Sequence, residues 1–189
     1  AALGFLMTIF FVVSCAVQAS SGFVVDRFGP RPILFAGLAL LGTAAMGFAA
    51  STSYGMLAFF SVVAGIGNGV FHPVDYTLLN RKVSGPRLGH AYSVHGITGS
   101  LGWALAPAML VPLAMAFSWR VALVAAGTLA FVVLAVVWLH RDKLDLPQAP
   151  VAPVRKGAAA APEEGKFDFL RIPAVWMCFA FFFFYAMAL

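Results

Sequence analysis

The sequence predicts an all-α, polytopic transmembrane helical bundle, and three observations predict it. Of the 189 residues 62% are apolar and only 10% are charged, against about 45–50% and about 25% in soluble domains. The mean hydropathy is +0.93, so a water-soluble fold of this length would have more apolar surface than it could bury. The charge-poor runs, at 1–21, 33–50, 55–79, 91–117, 119–139 and 172–189, each approach the ~20 helical residues that cross a ~30 Å hydrocarbon core. None alternates polar with apolar residues as a membrane β-strand does. Backbone groups in lipid must be satisfied within the segment, which makes these runs helices.

The first run begins at Ala1 without a basic n-region, is too long for a cleavable leader, and reads as a span; the ends of the chain read as those of a fragment. The connectors then alternate in character. Those at 22–32, 80–90 and 140–171 hold 11 of the 12 basic residues, while the links 51–54 and 118–119 hold none, Arg120 following the second. Basic residues in short loops mark the cytoplasmic face. The first run therefore travels from outside to inside, with an odd number of spans expected before it. A pI near 9.6 reflects this loop bias and not nucleic-acid binding. The connector 141–170 carries Pro147, Pro150, Pro153 and Pro162 among alanines, the composition of a semi-extended, poorly ordered tether. A new span after such a tether suggests a second bundle.

Charge concentrates in GFVVDRFGPRP at 22–32. Gly22 is expected to end the first span where a side chain would hold helices apart. Gly29 suits the positive φ of a tight turn, and Pro32 the first turn of the next helix. The stretch resembles the signature Gly-x-x-x-Asp-Arg-x-Gly-x-Arg of the major facilitator superfamily, matched by Gly22, Asp26, Arg27, Gly29 and Arg31, with Pro32 where another base is usual. In that family's numbering the six runs are helices two to seven of twelve. The resemblance implies residues 1–140 as the N-terminal bundle without its first helix, 141–170 as the cytoplasmic linker and 171–189 as the start of the C-terminal bundle. Trp119–Arg120 resembles a common start to helix six, and RLGHAYS (87–93) the entry to helix five. Two family motifs are degraded: Ser61 stands where the helix-four arginine is usual, and the antiporter motif survives only as Ala106-Pro107 followed by Leu110-Val111.

Ile33–Ala50 and Val121–Leu139 hold almost nothing polar and are expected to face lipid all round. Polarity gathers in the other two long runs. Asn68, His72, Asp75 and Leu79 follow steps of four, three and four, one face of a helix. Asp75 is the only acid inside a run, six residues before Arg81 and so ~9 Å inward at helical rise. Pro73 frees the carbonyl of Gly69, and Gly65, Gly67 and Gly69 are expected to loosen the turn before it. Such backbone defects at depth need protein or water beside them, so a cavity is expected here. His95 lies eight residues past Arg87, ~12 Å inward on an antiparallel helix, and so at a depth similar to Asp75. Asp75, alone or with His95, is the candidate proton carrier, with Asn68, His72 and Trp103 in the substrate wall. A static contact locking the two helices is the other reading. Gly96, Gly99, Gly102 and Ala106 form a small-residue strip expected to pack closely on another helix.

GIGNG at 65–69 follows no strand and is not a dinucleotide loop. Cys15 and Cys178 lie in separate runs and suggest neither disulfide nor metal site. No cofactor, metal or catalytic triad is expected. The family resemblance implies a secondary active transporter, not an enzyme, working by alternating access on a small solute, coupled to protons. It also implies a monomer in the bacterial inner membrane. FHPV at 71–74 gives a slight preference for drug efflux over import of organic acids. The alternatives are a non-transporting membrane scaffold and a membrane-embedded enzyme.

Overall fold

The computed structural model describes residues 2–146 and 171–188, and in these the secondary structure is helical. The helices are α1 (Ala2–Phe28), α2 (Pro30–Ala50), α3 (Tyr54–Gly69), α4 (Phe71–Lys82), α5 (Gly85–Ala116), α6 (Trp119–Leu139) and α7 (Pro173–Ala188), with a 3-10 turn at Arg141–Leu144. Among the described residues five segments are long and apolar enough to cross a membrane: α1, α2, α3 continued by α4, α5 and α6. The chain divides into one unit up to Pro147 and a second from Gln148. In the second, α7 is a 16-residue apolar helix on which Trp176 and Phe179 meet edge to face. The tether expected at 141–170 lies outside the described residues from 147 on. Its first six residues are ordered against the bundle.

The charged stretch is not the loop that was expected. α1 runs through it to Phe28, and α2 restarts at Pro30, where the N–H that proline lacks would have no intrahelical partner in any case. Gly29 alone forms the corner, at φ 82° and ψ 161°, and its N–H bonds the carbonyl of Val25 at 2.8 Å. Gly22 neither ends α1 nor lies at a close approach: a Cβ there would meet nothing within 4 Å. The opposite-end starts are capped by serine hydroxyls, as N-caps usually are. Ser53 Oγ accepts from the N–H of Met56 and Ser118 Oγ from that of Val121.

Small residues set the packing. α1 packs chiefly on α3 rather than on α2, and α2 lies between α3 and α6. A Cβ on Gly65 would come within 2.8 Å of the Phe10 carbonyl oxygen, and one on Gly69 within 2.7 Å of the Ser14 carbonyl oxygen. Gly67 faces α2, 3.0 Å from the carbonyl oxygen of Gly37 by the same measure. These glycines permit close helix approach, which corrects the expectation that they merely loosen the turn. α2 does not face lipid all round either: Gly37, Gly42, Ala44, Gly47 and Ala49 are buried, and Gly42 and Gly127 bring α2 and α6 together. Conversely, α5 has no buried residue, and a Cβ at Gly96, Gly99 or Gly102 would meet nothing within 4 Å. The strip expected to pack is open among the described residues.

Contacts tie the helix ends into two groups. At one end Arg31 Nη1 meets Asp145 Oδ1 at 2.5 Å, and Lys82 Nζ donates to the carbonyl of Lys143. At the other, Arg120 Nη1 donates to the carbonyls of Ala49 (2.6 Å) and Ser51 (3.0 Å), and Tyr54 Oη donates to the Ala2 carbonyl. The first end holds the basic connectors, as the alternation of charge requires.

Candidate functional site

Pro73 has no N–H to offer the carbonyl of Gly69, and the helix breaks at Val70, between α3 and α4. The freed carbonyl finds a partner on another helix: Ser21 Oγ donates to Gly69 O at 3.3 Å, buried. The adjacent Asn68 Nδ2 donates to Ser14 Oγ, two turns back along α1, at 2.8 Å. The break is thus sealed on the α1 side. It also divides the polar stripe, because Asn68 ends one helix and engages α1 while His72 and Asp75 belong to the next.

On the other side of the break, α4 meets α5. Asp75 Oδ2 lies 4.0 Å from His95 Nε2, too far for a hydrogen bond but an ion pair whenever the imidazole is protonated. Both side chains are about one-third exposed, 30% and 32%. His72, one turn from Asp75, places its ring centroid 6.4 Å from that of His95. Tyr76 stands 6.0 Å from His95 and 5.4 Å from Tyr92, both edge to face. Tyr92 Oη donates to Asn80 Oδ1 at 3.0 Å, a second polar tie between the helices. The similar depth expected of the two residues is met, and the structure brings the carboxylate and imidazole together. The cluster combines one carboxylate, two imidazoles and two phenols on an open face. Such a set can exchange protons and present both donors and acceptors to a polar solute. Among the described residues no three His, Cys, Asp or Glu side chains are arranged to hold a metal ion.

Trp103 lies two turns further along α5, is 79% exposed and is not drawn into this cluster. Ser61, at the position of the degraded helix-four arginine, is buried and donates to the carbonyl of Leu57, which leaves the seam with α1 uncharged. In the charged corner, Arg27 stacks over Phe28 at 5.3 Å. Asp26 is exposed and has no ion-pair partner among the described residues. Arg31 turns instead to Asp145, a residue the sequence reading assigned to the tether. Asp145, Ser21, Tyr76 and Tyr92 were not singled out. A period of three to four from His72 and His95 would have found the two tyrosines; nothing in the sequence pairs Ser21 with Gly69 or Arg31 with Asp145.

A family model described as Major Facilitator Superfamily matches residues 1–189. The chain is 30% identical over 148 residues to the membrane sensor protein UhpC of Salmonella typhimurium, covering 78% of this chain and 33% of that protein. UhpC of Escherichia coli shows the same identity and coverage. A multidrug resistance protein B homolog of Mycobacterium tuberculosis is 29% identical over 120 residues, 64% of this chain and 22% of its own length. The chain thus spans a third or less of the length of these curated relatives. Its match over the whole sequence, the signature at the α1–α2 corner and the bundle of apolar spans agree: this integral, multi-pass membrane chain belongs to the Major Facilitator Superfamily.

Proposed function

We propose that the chain is part of a secondary active transporter that moves a small solute across a bacterial cytoplasmic membrane by alternating access, with protons as the coupling ion. In this reading residues 1–140 supply most of the first bundle, 141–170 the cytoplasmic linker and 171–189 the opening of the second. The basic end faces the cytoplasm by the inside-positive rule. The protein needs no cofactor, acts as a monomer and is not an enzyme.

The observation that carries the reading is the approach of Asp75 and His95 across α4 and α5. An acid within a span costs roughly 2.5–3.5 kcal/mol at mid-membrane and less near the interface, and such groups commonly mark ion or substrate paths. Protonation of Asp75 abolishes its attraction for His95, so a proton alters the tie between two helices directly. Asp75 is the proton carrier, alone or with His95, and His72, Asn68 and Trp103 contribute to the wall of the path. Gly22, Asp26, Arg27, Gly29 and Arg31 form the gate motif at the α1–α2 corner, where Asp26 is exposed. A relative named as a multidrug resistance protein supports efflux of drug-like solutes. A relative named as a membrane sensor favours a second reading, in which solute is bound but not moved.

Full-length protein in liposomes, loaded with lipophilic dyes under an imposed pH gradient, tests these readings. The expected result is gradient-driven dye movement that Asp75→Asn abolishes while solute counterflow persists. Normal accumulation by Asp75→Asn at every pH would remove the proton-carrier role. Dye binding without flux in the unmodified protein would favour the sensor. Asp26→Asn is expected to insert normally and transport slowly, and unchanged uptake would exclude the gate role.

A further inference from the structure

The basic end of the bundle holds a cleft of about 740 Å³ between the α1–α2 corner and the chain that follows α6. Its polar lining is Arg31, Arg141 and Asp145, and its apolar lining includes Phe28, Phe35 and Trp138. A second hollow, of about 630 Å³, lies between α2 and α6 and is lined by apolar side chains, among them Ala39, Phe131 and Leu134. Phe35 and Trp138 belong to both, with ring centroids 5.2 Å apart. A cationic recess is thereby contiguous, across one aromatic pair, with an apolar furrow on the same two helices.

Two guanidinium groups against one carboxylate leave the recess positive. Arg31 engages Asp145 through Nη1, and its other N–H donors remain for a second acceptor. The guanidinium of Arg141 lies 5.6 Å from the Trp138 ring centroid, which holds the charge at the junction between recess and furrow. Tryptophan concentrates at the level of lipid headgroups, and basic pockets between spanning helices receive anionic ones. A free anion would account for the recess alone and a detached hydrocarbon for the furrow alone. We infer that this is a binding site for one anionic phospholipid, its phosphate between Arg31 and Arg141 and an acyl chain laid along the α2–α6 furrow. The site is separate from the Asp75–His95 cluster and does not depend on which solute the protein handles.

Native mass spectrometry of the full-length protein in detergent, with equimolar phosphatidylglycerol and phosphatidylcholine of matched chains, tests the inference. The unmodified protein is expected to retain phosphatidylglycerol selectively. Arg141→Gln is expected to reduce that retention about tenfold, the effect of losing one charge-assisted contact, and Arg141→Lys to keep most of it. Asp145→Asn, which removes the carboxylate from the recess, is expected to strengthen retention. Arg87→Gln, a basic residue outside the cleft, is expected to change nothing. Equal retention of the two lipids, or displacement of phosphatidylglycerol by excess inorganic phosphate, would overturn the assignment using the unmodified protein alone. Unchanged selectivity in a monodisperse Arg141→Gln protein would do the same.

Discussion

Replacing Gly69 by alanine would put a methyl group 2.7 Å from the carbonyl oxygen of Ser14 and 2.8 Å from Cβ of Val17. Neither neighbour can rotate away, because one is backbone and the other is fixed to it. Overpacking of this kind costs about 1–3 kcal/mol. Alanine returns up to ~1 kcal/mol in helix propensity, which with the full return leaves a net loss of roughly 0–2 kcal/mol. Gly65→Ala meets the Phe10 carbonyl oxygen at 2.8 Å and Val13 Cβ at 2.9 Å, so it opens the same seam between α1 and α3. The double substitution should cost less than the sum, because the second methyl enters a seam the first has already widened. Gly55→Ala is the matched control: it sits on α3, gains similar propensity and meets nothing within 4 Å. The assay is the fraction of full-length protein that stays monodisperse in detergent after stepwise heating. If Gly69→Ala survives heating as well as Gly55→Ala, close backbone approach is not what joins α1 to α3.

Three further outcomes follow from particular contacts. Ser21→Ala leaves the buried Gly69 carbonyl without its side-chain donor and is expected to cost about 0.6–2 kcal/mol in the same heating assay. Arg120→Ala removes the bonds to the carbonyls of Ala49 and Ser51, charge-assisted contacts worth about 1.5–3 kcal/mol; a cysteine placed at Ser53 should then react faster with a thiol reagent. The Arg31–Asp145 pair is 39% and 57% exposed, so a double-mutant cycle with Arg31→Gln and Asp145→Asn should return under ~1 kcal/mol and less at high salt.

The spans and the two ends of the bundle were legible because each depends on composition: apolar length and the side on which bases fall. Gly29 was legible because only a residue without Cβ takes its φ freely, and the Gly69 carbonyl because Pro73 must release it. The similar depth of Asp75 and His95 followed from helical rise on antiparallel neighbours, whereas their approach to 4.0 Å did not. Partnership between helices distant in sequence was not legible. Asn68 shares the spacing of His72 and Asp75, yet it turns to Ser14 because the break at Val70 changes the helix it belongs to. The glycines at 65, 67 and 69 fit either a loosened turn or a close approach, and only the positions of α1 and α2 decide between them. The strip at Gly96, Gly99 and Gly102 shows the converse, small residues with nothing against them in the described chain. Asp145 falls in the connector 141–170, whose prolines from Pro147 on mark a tether, whereas its own charge draws it back to Arg31.

The corner at Gly29 joins helices of 27 and 21 residues with no slack. An added residue there would have to be absorbed by winding one helix further, turning it by about 100° and advancing it by ~1.5 Å. Gly37 and Gly42 would swing away from α3 and α6, and bulkier neighbours would arrive in their place. The length of this elbow is therefore as much a part of the seam's specification as the glycines that line it.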